Sequence, residues 1–115
     1  MQRLESNTIG IDQGDVVLFS DFEDDGEMWR GDGPRQTRMG VAYSGRYIAV
    51  PFVTVSVSML DMSKTSNIRW DVQTEDITIT GFNIIFRTWG DTQVARCRVA
   101  WQSIGPVQTE DTWDL

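Results

Sequence analysis

The sequence predicts an all-β fold, an antiparallel sandwich or barrel, and three observations carry that prediction. Apolar and polar residues alternate with a period of two over several segments, turn-forming residues separate those segments at short intervals, and no stretch has a helical period. At 115 residues the chain fits one domain, long enough to enclose a single core between two sheets.

Taken in order, residues 16–22 form a first, weakly marked strand. Residues 38–44 align Met39, Val41 and Tyr43 on one face. The clearest alternation is at residues 52–60, where Val53, Val55, Val57 and Met59 oppose Thr54, Ser56 and Ser58. Residues 67–74 align Ile68, Trp70 and Val72, and residues 79–89 place Phe82, Ile84 and Phe86 inward, with Ile85 on the other face marking a central strand. Residues 93–104 turn Ala95, Cys97, Val99 and Trp101 to the core and Arg96, Arg98 and Gln102 to the outside. Asp25-Gly26, Gly31-Asp32-Gly33-Pro34, Ser44-Gly45 and Gly90-Asp91 supply the turns. The domain is expected to span residues 1–105, followed by an acidic C-terminal tail, 106–115, around Trp113.

Composition removes several function classes. Seventeen acidic against ten basic residues give a net charge of −7, which repels a phosphate backbone, so no nucleic-acid partner is expected. No apolar run reaches the length of a membrane helix, so no membrane insertion is expected either. The first ten residues carry Arg3 but no apolar stretch, which predicts cytoplasmic synthesis without a signal peptide, the final location being left open between a cell surface and a particle. There is no histidine, the commonest general base and zinc ligand, and the single Cys97 is expected to be an inert buried thiol. Carboxylates such as Asp71 and Asp91 are what is left for catalysis, but a small sandwich offers no deep cleft to raise a carboxyl pKa; the expectation is a protein that is not an enzyme.

Two constellations remain. Asp21, Glu23, Asp25 and Asp32 imitate the spacing of a calcium loop, although the flanking helices of an EF-hand are missing and a solvated acidic loop is the plainer reading; calcium is the one cofactor this pattern suggests. Arg69, Asp71 and Gln73 share the polar face of one strand, where a guanidinium suits either a pair of sugar hydroxyls or a neighbouring carboxylate. Trp89, just before Gly90-Asp91, is either a stacking platform for a pyranose or an aromatic at the edge of the core.

Leu60-Asp61-Met62, Asn67-Ile68-Arg69, Thr80-Gly81-Phe82, the run from Thr88 to Thr92 and Trp101-Gln102-Ser103-Ile104 together resemble the H-type lectin domain in order and spacing, from about Asp12 to Gly105. The resemblance extends to the passage from Gly33 to Arg38 and suggests a bacterial or phage-associated member. It implies a six-stranded antiparallel β-sandwich that assembles as a homotrimer and binds glycans, N-acetylgalactosamine or a related sugar, at sites between protomers. Carried over residue by residue, Arg69 is the strand arginine that hydrogen-bonds sugar, Trp89 stands beside the binding loop, and Asp91 lies in that loop. The loop with Gly33 and Arg35 would complete the site from a neighbour, with Arg35 where snail lectins have an aspartate; Gly90 replaces a histidine and Ala95 a tyrosine. Arg35 near Arg69 suggests an acidic sugar, since a guanidinium pair suits a carboxylate. Arg96 and Arg98 are expected to make ion pairs between subunits. The alternative is a non-catalytic structural or adhesion module of a phage or phage-like particle, with no working sugar site, favoured by the changes at Arg35, Gly90 and Ala95.

Overall fold

A computed structural model of the chain describes residues 1–5 and 8–109. Their strands are β1 (Ile9–Ser20), β2 (Arg35–Ala42), β3 (Phe52–Met62), β4 (Trp70–Glu75), β5 (Gly81–Thr88) and β6 (Val94–Pro106), with one helical turn, α1 (Glu27–Arg30), between β1 and β2. They form two three-stranded antiparallel sheets, β1-β6-β3 and β2-β5-β4, and the predicted sandwich is the observed fold. No described helix is long and apolar enough to cross a membrane.

The inner faces meet in one core. Phe82, Ile84 and Phe86 of β5 face Cys97, Val99 and Trp101 of β6, all buried. Aromatic side chains fill the space between the sheets: Phe19 meets Phe86 edge-on at 5.5 Å, and Phe82 meets Trp101 at 5.5 Å. Such contacts add to the area term of burial, itself about 1.5–3 kcal/mol for a side chain like Phe86. As expected of a central strand, β5 also buries Ile85 on the outer face, between Arg38 and Gln73 in the register.

The departures from the predicted pattern have local causes. In β3 the register shifts between Val57 and Met59, so Ser58 is an extra residue and the phase of alternation reverses. Leu60 and Met62 therefore pack on the core, and Met59 pairs with the outward Arg98. β1 shifts at the same level of β6, between Val17 and Phe19, and starts well before the predicted residue 16. A third shift, opposite Asp61 and Met62, brings Val94 into the core while Ala95 is buried beside it; the Ala95 carbonyl accepts from the N–H groups of Asp21 and Phe22. The short α1, which no helical period announced, buries Met28. At the other end Pro106 pairs with Ile9, and Val107 packs on the core, so β6 continues past Gly105. Trp113 and the acids around it lie outside the described residues.

Candidate functional site

Register places the candidate residues at one end of the β2-β5-β4 sheet. Thr88 pairs with Trp70 on one side and with Arg35 on the other. Continued by one residue, this register sets Trp89 between Arg69 on the β4 side and Pro34 on the β2 side. Trp89 is 43% exposed, an open indole at a strand end, as a stacking platform requires.

Arg69 lies just before β4, and side chains hold its backbone in place of a ladder. The Thr92 hydroxyl accepts from the Arg69 N–H at 3.1 Å and donates to the Asn67 carbonyl at 2.7 Å, while the Thr88 hydroxyl donates to the Arg69 carbonyl at 2.6 Å. Thr88 and Thr92 are both buried. The Arg69 guanidinium is half exposed and donates through Nη1 to Asp91 Oδ1 at 3.1 Å; its Nε and Nη2 make no hydrogen bond among the described residues. Asp91 also accepts from the side-chain amide and the N–H of Asn67, and these bonds, ahead of the Arg69 charge, hold its carboxyl below the ordinary value. The result is an oriented acceptor beside a guanidinium with donors to spare, next to an exposed indole, an arrangement chemically able to meet paired hydroxyls and an apolar ring face.

Gly90 joins this group to the 33–35 loop. It has φ +68°, in the left-handed region, and a Cβ there would stand 3.3 Å from Arg69 Nη1. Its carbonyl accepts from the Gly33 N–H at 2.9 Å and from Arg35 Nη2 at 3.2 Å. The loop expected to reach a neighbour's site thus closes on the Trp89–Gly90 turn of its own chain.

Arg35 differs most from its expected role. Only 4% exposed, it donates to the carbonyls of Gly33, Glu27, Met28 and Gly90. Four carbonyl dipoles replace the water that the buried charge gives up. The guanidinium pair expected for an acidic sugar is therefore not presented, because Arg35 holds α1 and two turns together. Ala95, also buried, offers no surface to a ligand.

The other predicted contacts are resolved as follows. Asp21 accepts from the Met28 N–H at 3.0 Å, which supports α1, and Asp25 pairs with Arg30 at 3.2 Å. With Glu23 and Asp32 they do not converge: among the described residues no group of three or more acids or thiols is arranged to hold a metal ion. Arg96 pairs with Asp61 at 2.8 Å and Arg98 approaches Asp15 at 4.0 Å, so both have partners on the outer face of their own sheet. Asp71 pairs with Arg87 at 3.8 Å.

Asn67, Thr88 and Thr92 were not singled out from sequence, although they stand in the stretches that carry the family resemblance. Their signal is the clustering of small hydroxyl and amide residues around Arg69 and Asp91, where hydroxyls take over from the ladder.

Comparison with known proteins agrees with the fold. The profile described as the H-type lectin domain matches residues 39–104. A protein of Fuscovulum blasticum named "ATP synthase subunits region ORF 7" is 45% identical over 108 residues, 94% of each chain. Discoidin-2 of Dictyostelium discoideum is 31% identical over 65 residues, which cover 56% of this chain and 25% of that protein. The solved structure of recombinant discoidin II from the same organism superposes with a TM-score of 0.74 at 21% identity, over 91% of this chain and 40% of the other. This chain thus spans well under half of either discoidin.

Proposed function

The chain belongs to the H-type lectin domain family, and on that premise we propose that it is a non-catalytic carbohydrate-binding protein with its sugar site at Arg69, Asp91 and Trp89. The observation that carries this reading is the Arg69–Asp91 pair, 3.1 Å apart and open to solvent beside an exposed indole. Nε and Nη2 of Arg69 supply donors, Asp91 supplies the acceptor, Trp89 faces the C–H side of the ring, and Gly90 keeps the space between them free of a side chain. N-acetylgalactosamine or a related neutral sugar suits this set better than an acidic one, because the Arg35 charge is spent inside the protein.

The proposed protein is a homotrimer. Ile11, Ile104 and Phe52 lie side by side across the outer face of β1-β6-β3, and Ile11 and Phe52 are 65% and 55% exposed, an apolar row suited to contact between copies. Several shallow sites on one particle raise avidity for a glycan-coated surface.

The test is a glycan array with the purified protein, in calcium and in chelator, followed by titration of N-acetylgalactosamine into wild type and Arg69→Ala, with light scattering for the oligomer. Loss of a charge-assisted hydrogen bond is expected to weaken binding roughly 10- to 100-fold. The second reading, a structural or adhesion module of a phage-like particle, draws on the burial of Arg35 and Ala95, which removes two of the family's contact positions from the surface. A folded trimer that binds no glycan on the array decides for it.

A further inference from the structure

Trp89 has two neighbours, and only one belongs to the site just described. On the β4 side stand Arg69 and Asp91; on the β2 side a cleft of ≈ 450 Å³ opens between Trp89, Pro34, Gln36 and Glu27, with Arg35 and Arg87 also on its lining. We propose that this cleft is a second subsite, which takes the next, uncharged sugar residue of a glycan whose first residue lies against Arg69 and Asp91. The inference rests on the reading of that end of the sheet as a sugar site and adds the substrate class: a neutral oligosaccharide rather than a single sugar.

Size, chemistry and charge support it. The volume falls within the range of about 300–1,000 Å³ found for small-ligand clefts. Neighbouring strands are about 4.8 Å apart, so Arg69 and Pro34, two strands apart, are separated by roughly 10 Å, wider than one pyranose ring. The indole lies between the two halves, so one aromatic can serve both residues of a linked pair. The Gln36 amide offers a donor and an acceptor, and the exposed Glu27 carboxylate, with no partner among the described residues, offers a further acceptor at the rim.

Charge favours a neutral sugar over an acidic one, because both cationic side chains on the lining are engaged elsewhere. Arg35 has its donors on backbone carbonyls. Arg87 faces two carboxylates, Asp71 at 3.8 Å and Glu75 at 3.7 Å. Glu27 is the one carboxylate on the cleft's lining and has no partner among the described residues, so the carboxylate of a uronic or sialic acid beside it would meet a like charge, whereas a hydroxyl would meet donors and acceptors.

The experiment titrates wild type and the double variant Glu27→Ala/Gln36→Ala with three probes: N-acetylgalactosamine, neutral di- and trisaccharides ending in it, and the same trisaccharide capped with sialic acid. Both substituted side chains are exposed, and neither belongs to the first site. Wild type is expected to bind the neutral oligosaccharides about tenfold more tightly than the monosaccharide, and the double variant to lose that advantage while keeping its monosaccharide affinity. Equal affinity of wild type for the monosaccharide and the oligosaccharides, an advantage that survives in the double variant, or a preference for the sialylated probe overturns the subsite and leaves the lectin reading standing. Failure of wild type to bind any of the probes overturns both.

Discussion

Arg35 Nη2 donates to the Gly90 carbonyl at 3.2 Å, and through that bond a buried cation ties the start of β2 to the turn beside the candidate sugar site. If the arginine serves the fold, its loss is read in stability. Arg35→Met removes hydrogen bonds to four carbonyls and leaves several of them dry, at a cost of at least about 3 kcal/mol. Urea denaturation checks this. An unchanged midpoint with lost glycan binding would return Arg35 to the role of ligand contact.

Gly33 and Gly90 form a matched pair, because both have φ near +70°, but only one is crowded. A Cβ at Gly33 meets nothing within 4 Å, so Gly33→Ala costs only the left-handed backbone term, about 1–2 kcal/mol. Gly90→Ala carries the same term and also presses on Arg69 Nη1. The two variants are expected to lose similar stability and to differ in glycan affinity, with only Gly90→Ala weakened. Parallel titrations and melts separate the two effects.

Phe86 is fully buried, edge-on to Phe19 and stacked over Trp70 at 6.1 Å. Phe86→Ala is expected to cost about 3–5 kcal/mol, the range for a large aromatic whose cavity its neighbours cannot fill. Chemical denaturation measures it, and a loss under about 1 kcal/mol would mean that the sheets close over the gap.

The sandwich was legible because its signal is repeated: alternation in β3, β5 and β6 follows from a pleat with one wet face, and each strand states it again. The bulges were not legible. Nothing in Val57-Ser58-Met59 says that Ser58 is extra, since that is decided by the pairing with Val99 and Arg98 of β6, distant in the chain. Of the candidate site, Arg69, Trp89, Gly90 and Asp91 were singled out through their motif, and the structure brings them to one end of the sheet. Arg35 was misread because a sequence gives the charge of a residue but not its burial. An arginine at a strand start, flanked by polar turns, looks exposed until the carbonyls of α1 and Gly90 are seen to converge on it.

The absence of histidine, together with the remaining titratable groups, sets the pH range of the fold. The Ser44 N–H holds Asp12 below its ordinary 3.8, the Asn67 amide does the same for Asp91, and the Arg38 hydrogen bond holds Glu75 below 4.5. A depressed folded pKa contributes stability above the unfolded value that is lost as pH falls through the folded one, so the acid limb begins below about pH 4.5. Burial acts in the opposite direction on two neutral groups. It pushes the Cys97 thiol from 9.0 up to about 11 and the Tyr43 phenol from 10.0 up to about 12. A raised folded pKa gives stability that is complete below the unfolded value and declines as pH rises through the folded one, so the alkaline limb begins near pH 9. Urea midpoints are therefore expected to be flat between about pH 5 and pH 9, with Asp91→Asn softening the acid limb and Cys97→Ala the alkaline limb. A transition centred near neutral pH would show that some other group changes charge on folding.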